Sequence, residues 1–433
     1  MADTPEDQTV IVVGAGFSAA LTGGDNPMIG NGPLPTLQRL GKELSQFAHD
    51  SKKLWDDEGQ FSKKTRCHGL TLLKQTFEAG SNPDTNFEQF ISLLASQKSF
   101  LEQFPSANRP DLPQNDPHVM DFIIFLMCQY FEHQLAHERT SFNDKFSKGD
   151  FLYKVNCHPR KIAFAKGLTD LSNNYAASKY APMITYVSLN YDGLLESLIG
   201  ENEHRADKTI SPLDEHYLAE VSHEFPFIKK LQFNDVLDFN FRSSKYIPKI
   251  LKPHGSIHFQ KLRLNFKKCI GGSGHYALTP KLPSAGNSSC FRTPINQAEG
   301  TQTYVHKEAL NLFDVTPFII PPTLNKDAYL GTDYFNEVLF QVHRAITKAR
   351  NIVVIGFSLP PSDLHLWAAL QSIDWTDKRV FICDIENKDG DAFKNWSRVA
   401  RGAKVELLPL NGLPCDTEVN IKNFFVDLKK RIQ

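Results

Sequence analysis

The feature that most constrains the fold of this chain is its repeated order of short apolar runs and helical stretches. The apolar runs are rich in β-branched residues and end near Gly, Asn or Asp, a pattern typical of buried strands. The predicted strands are Val10–Val13, Thr185–Leu189, Lys249–Leu251, Phe318–Ile320, Ile352–Ile355, Val380–Cys383 and Val405–Leu408. Helical spacing is found at Leu34–Phe47, Pro159–Lys179, Tyr334–Ala349, Leu364–Ile373 and Val419–Ile432. This alternation predicts an α/β fold, a Rossmann-like parallel sheet with helices on both faces.

Two stretches interrupt the alternation. From Ser51 to about Asp150 there is no strand pattern, and the segments Asn86–Gln97 and Val119–Leu135 have helical spacing, which predicts a helical insertion. The region from about 200 to 310 contains GGSGHY and SAGNSS and predicts an irregular insertion that flanks the site. We therefore expect one discontinuous Rossmann-like domain over residues 1–433 that carries both insertions.

Charge and composition limit the classes of partner. The chain has 433 residues with 48 basic and 49 acidic side chains, so its formal net charge is −1. Such a chain has no global field to attract a nucleic-acid backbone or an anionic membrane. The longest apolar run, Phe122–Cys128, is far shorter than the roughly 20 residues that a membrane span requires. The acidic, polar start MADTPEDQ does not resemble a signal peptide, so we expect a soluble, cytoplasmic protein.

The cysteine pattern indicates redox state and metal content. The chain contains seven cysteines, and none of them forms a C-x-x-C pair. This arrangement favours a reduced compartment and disfavours a structural zinc. We therefore expect no metal.

The first candidate site is the loop GAGFSAALTGG, which follows the first predicted strand. Gly14 and Gly16 permit a tight turn and a close approach to a pyrophosphate, which the free amides of a helix N-terminus would bind. A glycine turn without a ligand explains the pattern about equally well. Gly23 and Gly24 keep the helix short, and no second strand with an acidic end follows about 20 residues later, which disfavours an ordinary dehydrogenase.

Two further strands lead to polar residues. Asn190 and Asp192 follow the strand in YVSLNYDGLLES and lie two apart, so their side chains share a face of an extended chain. The alternative is an Asx turn in which Asp192 caps the next helix. His254 follows a short strand between Pro253 and Gly255, where an imidazole could act as a base at neutral pH. A histidine in such a loop is more often only polar surface.

The last two candidates follow later strands. The segment NIVVIGFSLPPSDLHLW places Gly356 and Ser358 after a buried strand and Asp363 at the N-cap of the next helix. The segment RVFICDIENK places Asp384 at a strand end and Asn387 in the following loop. An acidic or amide group at that point could hydrogen-bond a ribose hydroxyl.

Taken in this order, the five motifs resemble the sirtuin superfamily from Val10 to about Leu410. The matching positions are Gly14, Ala15, Gly16 and Ser18 in the dinucleotide loop, Asn190 and Asp192 in the element beside the nicotinamide ribose, His254 and Gly255 in the element of the catalytic histidine, Gly356 and Ser358 in the adenosine-side loop, and Asp384 or Asn387 at the polar strand end. No single motif is decisive, and the specificity lies in the set.

Departures from the family narrow the expected activity. Sirtuin protein deacylases carry a proline-aspartate-phenylalanine-arginine element after the glycine loop and a four-cysteine zinc module, and this chain has neither. What remains, with Phe318–Lys326 and the helical insertion, is similar to sirtuin-like effectors of bacterial antiphage defence. The resemblance therefore implies an NAD+ glycohydrolase that yields nicotinamide and ADP-ribose and depletes NAD+ in abortive infection.

The same resemblance implies residue roles and partners. Asn190 would orient water or the ribose hydroxyls, His254 would act as general base, and Asp192 would hold the ribose and the nicotinamide end. NAD+ would be the substrate, no zinc is expected, and control would come from a homo-oligomer, from a partner ATPase of the hexameric translocase type or from an Argonaute-like protein. Two alternatives stay open: an NAD-dependent protein deacylase or ADP-ribosyltransferase, and a non-catalytic NAD+ or ADP-ribose sensor.

Overall fold

A computed structural model describes residues 8–22, 37–50, 61–77, 86–103, 116, 118–140, 163–164, 167–168, 171, 184–192, 194–195, 249–264, 276–280, 313–324, 326, 333–384, 388–409 and 418–432. The chain divides into two compact units. The first comprises Met1–Leu34, Leu135–Ser256 and Tyr329–Gln433, and the second comprises Pro35–Gln134 and Ile257–Ala328. Each unit has its own sheet.

The described elements are as follows. The strands are β1 (Gln8–Val13), β2 (Ile184–Ser188), β3 (Lys249–Leu251), β4 (Gly255–Leu264), β5 (Tyr276–Pro280), β6 (Phe313–Ile319), β7 (Ala349–Ile355), β8 (Arg379–Asp384) and β9 (Lys404–Pro409). The helices are α1 (Ala15–Thr22), α2 (Leu37–Asp50), α3 (Lys63–Phe77), α4 (Phe87–Gln103), α5 (Val119–Thr140), α6 (Asp333–Lys348), α7 (Leu364–Gln371), α8 (Asp391–Val399) and α9 (Glu418–Ile432).

The first unit contains a six-stranded sheet in the order β3-β2-β1-β7-β8-β9. Every neighbouring pair in this sheet is parallel. The predicted α/β fold class with a Rossmann-like parallel sheet is therefore confirmed. The chain adds β2 and β3 on one side of β1, and β7, β8 and β9 on the other, so the strand order reverses between β1 and β7. Open parallel sheets bind ligands at the carboxyl ends of their strands beside such a reversal.

Both faces of this sheet are covered, because successive side chains of β1 point to opposite faces and Val10 to Val13 are all buried. On one face, Ile11 and Val13 share a core cluster with the apolar side of α9. That side consists of Ile421, Phe424, Phe425, Leu428 and Ile432, whose spacing is helical. The continuous apolar runs that predicted the strands thus reflect burial on both faces of the sheet.

The second unit contains α2, α3, α4, the part of α5 up to Gln134, and a three-stranded sheet in the order β5-β4-β6. Helices α4 and α5 lie where helical spacing predicted them, and α4 begins after Asn86, whose Oδ1 accepts the amide of Glu88 at 2.6 Å. Aromatic pairs such as Phe47 with Tyr130 and Phe77 with Phe90 pack in this unit, and its buried phenylalanines include Phe47, Phe90 and Phe122. Among the described residues, no helix is both long and apolar enough to cross a bilayer.

One predicted strand belongs to a different sheet from the one expected. The run Phe318–Ile320 overlaps β6, but β6 is in the three-stranded sheet and not in the parallel sheet. Its partner β4 is paired antiparallel with β5, and β5 was not predicted because GGSGHY indicated a loop. A local apolar run identifies a strand but does not specify its partners, which are distant in sequence. Most of the predicted helix Pro159–Lys179, and residues 201–248 and 281–312, lie outside the described residues.

Candidate functional site

Two glycine loops meet where the strand order reverses. The amide of Gly14 donates to the carbonyl of Ile355 at 3.1 Å, and the amide of Gly16 donates to the carbonyl of Gly356 at 3.0 Å. The amide of Phe17 turns back to the carbonyl of Gly14 at 2.9 Å. The loop after β1 is therefore bonded to the loop after β7 through the backbone.

The glycines are required because these two backbones are so close. A Cβ on Gly14 would lie 2.6 Å from Cβ of Phe357, and a Cβ on Gly16 would lie 3.0 Å from Cα of Gly356. Gly356 has a φ of +60°, and its Cβ would lie 2.3 Å from the amide nitrogen of Phe17. Close packing of the loops thus explains the three glycines without a ligand.

The start of α1 differs in part from the sequence prediction. The sequence predicted free amides at the start of this helix, but the amides of Gly16 and Phe17 donate to backbone carbonyls. Ala15 and Gly16 are exposed, whereas Ser18 is buried. The part of this first turn that a ligand can reach is therefore Ala15 and Gly16, and the Gly16 amide is already bonded to Gly356.

Asn190, at the end of β2, holds this glycine loop in place. Its Nδ2 donates to the carbonyl of Gly14 at 2.9 Å and to Oγ of Ser18 at 2.8 Å. A carbonyl oxygen can only accept, so this bond fixes which end of the amide faces the loop. Both N–H groups of the buried side chain therefore have protein partners, and Oδ1 is the atom of Asn190 that can accept a hydrogen bond from a ligand.

Asp192 has the Asx-turn geometry that the sequence left as an alternative. Its Oδ1 accepts the amide of Leu194 at 3.0 Å, and the side chain is buried. The carbonyl of Asp192 accepts a hydrogen bond from Nζ of Lys252 at 2.6 Å. Lys252 was not among the predicted site residues, although a lysine two positions before a candidate histidine at a strand end is a visible signal. Its buried ammonium joins the loops after β2 and β3.

His254 lies in a tight turn after β3, in which the amide of Gly255 donates to the carbonyl of Lys252 at 2.9 Å. Gly255 has a φ of 76°, which glycine adopts without strain. His254 is buried, so the interpretation of this residue as polar surface is wrong. Its ring centroid lies 6.3 Å from that of Tyr191, which places the histidine beside the loop that carries Asn190.

The neighbours of His254 that sequence analysis did not find are Asp363 and His365. Nε2 of His254 lies 3.5 Å from Oδ1 of Asp363, and the His254 and His365 ring centroids are 5.3 Å apart. The exposed fractions of the three residues are 5%, 2% and 6% in chain order. The structure thus brings two imidazoles and one carboxylate together beneath the surface. The sequence signal for this pair was an aspartate and a histidine, two apart, at the start of the helix that follows the predicted strand Ile352–Ile355.

Asp363 is the N-cap residue of α7, as predicted, but its side chain does not cap the helix. The amides of Leu366 and Trp367 instead bond to its carbonyl oxygen at 2.9 and 3.0 Å. The carboxylate is therefore directed toward His254. Asp363 thus occupies the N-cap position without a side-chain cap, because its backbone carbonyl accepts the amides of Leu366 and Trp367.

The remaining candidates follow β7 and β8. The carbonyl of Ser358 accepts the side-chain amide of Asn395 at 3.0 Å, and the carbonyl of Phe357 accepts Nε1 of Trp396 at 3.1 Å. These bonds attach the loop after β7 to α8. Asp384 ends β8, where its backbone pairs with Pro409, and Asn387 lies outside the described residues.

Comparison with protein-family models and with curated proteins finds no match to this sequence. The fold and the site define an α/β protein with a Rossmann-like sheet and a cluster of buried polar side chains at the carboxyl ends of its strands. The resemblance to sirtuins rests on the five motifs.

Proposed function

We propose that the protein is a sirtuin-like NAD+ glycohydrolase, which cleaves NAD+ to nicotinamide and ADP-ribose and depletes the dinucleotide in abortive infection. One observation carries this proposal. The glycine loop, Asn190 and His254 follow β1, β2 and β3, which are neighbours in the sheet and parallel. These groups therefore share one edge, beside the reversal of strand order at which such sheets bind nucleotides.

Hydrolysis requires a site that stabilises an oxocarbenium-like ribose and admits water on the face opposite to nicotinamide. Oδ1 of Asn190 is an acceptor suited to a ribose hydroxyl or to water, because the N–H groups of the same amide bind Gly14 and Ser18. The same contacts hold the acceptor rigidly beside the glycine loop. Binding of substrate then needs little reorganisation at this position.

His254 is the general base of the proposed reaction. A carboxylate that faces Nε2 favours the tautomer with its proton on that nitrogen, and this leaves Nδ1 as the basic atom. Asp363 would thus position His254 without contacting the substrate. The long 3.5 Å separation suits a site whose hydrogen bonds tighten when substrate binds.

Asp192 contributes through the shape of its loop. Its carboxylate accepts the amide of Leu194, and its carbonyl accepts the ammonium of Lys252. Both contacts fix the turn that follows Asn190. Asp192 would thus hold the nicotinamide end of the site in shape.

Uncontrolled hydrolysis would deplete the NAD+ of the host cell, so the activity must be regulated. Assembly into a homo-oligomer, a partner ATPase of the translocase type or an Argonaute-like protein would activate the enzyme. The test measures nicotinamide release from NAD+ by the purified full chain, alone and with the product of its neighbouring gene. His254→Ala should lower release by about 100-fold or more, as expected for a positioned base.

The matched control is His343→Ala. This partly exposed histidine lies on α6, and its Nε2 and Oγ of Ser372 are hydrogen-bonded at 3.0 Å. The control should keep full activity. Full activity in folded His254→Ala, under conditions in which the wild type is active, would contradict the assigned role.

A non-catalytic NAD+ or ADP-ribose sensor is the second candidate. The observation that favours it is the bracing role of Asn190, whose amide hydrogens are both bound within the protein. A sensor would bind the nucleotide and release no nicotinamide under any condition, so the same assay separates the two functions.

A further inference from the structure

The buried group formed by His254, Asp363 and His365 could also bind a metal ion. Each residue offers one ligand atom, and these three atoms all lie within 4.8 Å of one another. Within the described residues this is the one such group of three. The sequence predicted no metal because the cysteines form no zinc-binding pattern, but this group contains no cysteine.

The separation of one pair of possible ligand atoms in this group fits coordination to a common ion. Nε2 of His254 and Oδ1 of Asp363 are 3.5 Å apart, beyond the usual 2.7 to 3.2 Å range of an N–H···O hydrogen bond. Two ligands about 2.1 Å from a tetrahedral zinc ion are about 3.4 Å apart, from the bond lengths of such sites. An ion between these two atoms would therefore require little movement of either side chain.

The donor types determine the class of ion. Two imidazoles and one carboxylate are borderline ligands that suit Zn²⁺ and similar transition metals, whereas Mg²⁺ and Ca²⁺ prefer oxygen ligands alone. Three protein ligands also leave a fourth position for water or a ligand.

We propose that His254, Asp363 and His365 bind one divalent transition-metal cation of the Zn²⁺ class. The site joins the turn after β3 to the start of α7. Binding of the ion does not depend on the proposed hydrolase activity.

One consequence rests on the proposed function. A metal ion on Nε2 of His254 would leave the single proton of the neutral imidazole on Nδ1, so that this nitrogen could no longer accept a proton. Zn²⁺ would therefore inhibit nicotinamide release, and a chelator would restore it. A cation site at the catalytic base would be one means of keeping the enzyme inactive.

The experiment uses the full chain, stripped of metal with a chelator and then desalted. Titration with Co²⁺, followed by its visible absorption, reports the coordination of the ion, and calorimetric titration with Zn²⁺ gives the stoichiometry. We expect one ion per chain. His365→Ala should weaken binding by more than about 100-fold, since loss of an outer-shell partner alone costs 10- to 100-fold. The control His343→Ala should bind as the wild type does.

The proposal is overturned if the wild type binds no stoichiometric Co²⁺ or Zn²⁺, or if His365→Ala binds as tightly as His343→Ala. Asp363→Asn, which keeps the shape of the side chain, gives the same comparison should His365→Ala fail to fold. Because binding is measured without NAD+, failure of the metal site is distinguishable from failure of the hydrolase proposal. If Zn²⁺ binds but does not change nicotinamide release by an active chain, the metal site is supported and the proposed inhibition is wrong.

Discussion

The side-chain amide of Asn190 donates to the carbonyl oxygen of Gly14 at 2.9 Å, which joins the end of β2 to the loop after β1. A second bond to Oγ of Ser18 extends this connection into α1. Asn190, which the sequence selects as a catalytic candidate, is thus also a support of the glycine loop after β1. We therefore expect a substitution of Asn190 to change both the geometry of this loop and the proposed nicotinamide release.

Replacing Asn190 with alanine should therefore lower both stability and activity. Loss of a buried donor that satisfies two acceptors should reduce the free energy of unfolding by about 1–3 kcal/mol, as measured by urea denaturation. Nicotinamide release should fall by about 100-fold or more, because the acceptor for the ribose or water is lost. Unchanged stability would show that the loop does not depend on this amide.

Asn351→Ala is the matched control for that substitution. Asn351 is buried, and its Nδ2 donates to the carbonyl of Ile432 at 3.0 Å. It lies near the amino end of β7, away from the strand ends that carry the site. A similar loss of stability with retained nicotinamide release would separate the structural effect of a lost amide from the effect on the site.

Replacing Gly356 with alanine should be strongly destabilising. Its φ of +60° strains any residue with a Cβ, and that Cβ would lie 2.3 Å from the amide nitrogen of Phe17. We expect a loss of about 2 kcal/mol or more in unfolding free energy, since the backbone strain alone accounts for about 1 kcal/mol.

Gly402→Ala tests the strain without the steric overlap. Gly402 has a φ of +101°, but the nearest atom to its Cβ would be 3.8 Å away. Denaturant unfolding of both variants should give the smaller loss for Gly402→Ala. Equal losses would mean that close packing of the two glycine loops adds nothing to stability.

Gly16→Val should weaken nucleotide binding. Its side chain would be forced against Gly356 and would also occupy the exposed first turn of α1, where we expect the pyrophosphate of NAD+ to bind. We expect NAD+ affinity to fall at least about 10-fold, or about 1.4 kcal/mol, in a calorimetric titration. Unchanged affinity in the folded variant would place the dinucleotide elsewhere.

Asp363→Asn should lower nicotinamide release and leave α7 intact. The carboxylate makes no capping hydrogen bond, so its loss should not carry the usual cost of about 1 kcal/mol for removing an N-cap. Without the charge, His254 loses the group that selects its tautomer, and kcat should fall at least about 10-fold with little change in KM. A change confined to KM would indicate that Asp363 contacts the substrate instead.

Much of the candidate site could be predicted because strands and their ends are encoded locally. Val10–Val13 and Ile352–Ile355 are apolar, β-branched runs, and they form strands in the six-stranded sheet. Once a parallel sheet is expected, residues just after a strand, such as Asn190 and His254, must lie at one edge. That inference needs no knowledge of which strands are neighbours.

What only the tertiary structure decided is which side chains meet. The sequence identified the motif of Asp363 as a helix cap and that of Asn190 as a candidate for catalysis, but the folded chain pairs Asp363 with His254 and Asn190 with Gly14. It also places β6 in a second sheet. Strand formation depends on neighbours in sequence, whereas these contacts depend on strand order and on helix placement, which are set by packing between segments far apart in the chain.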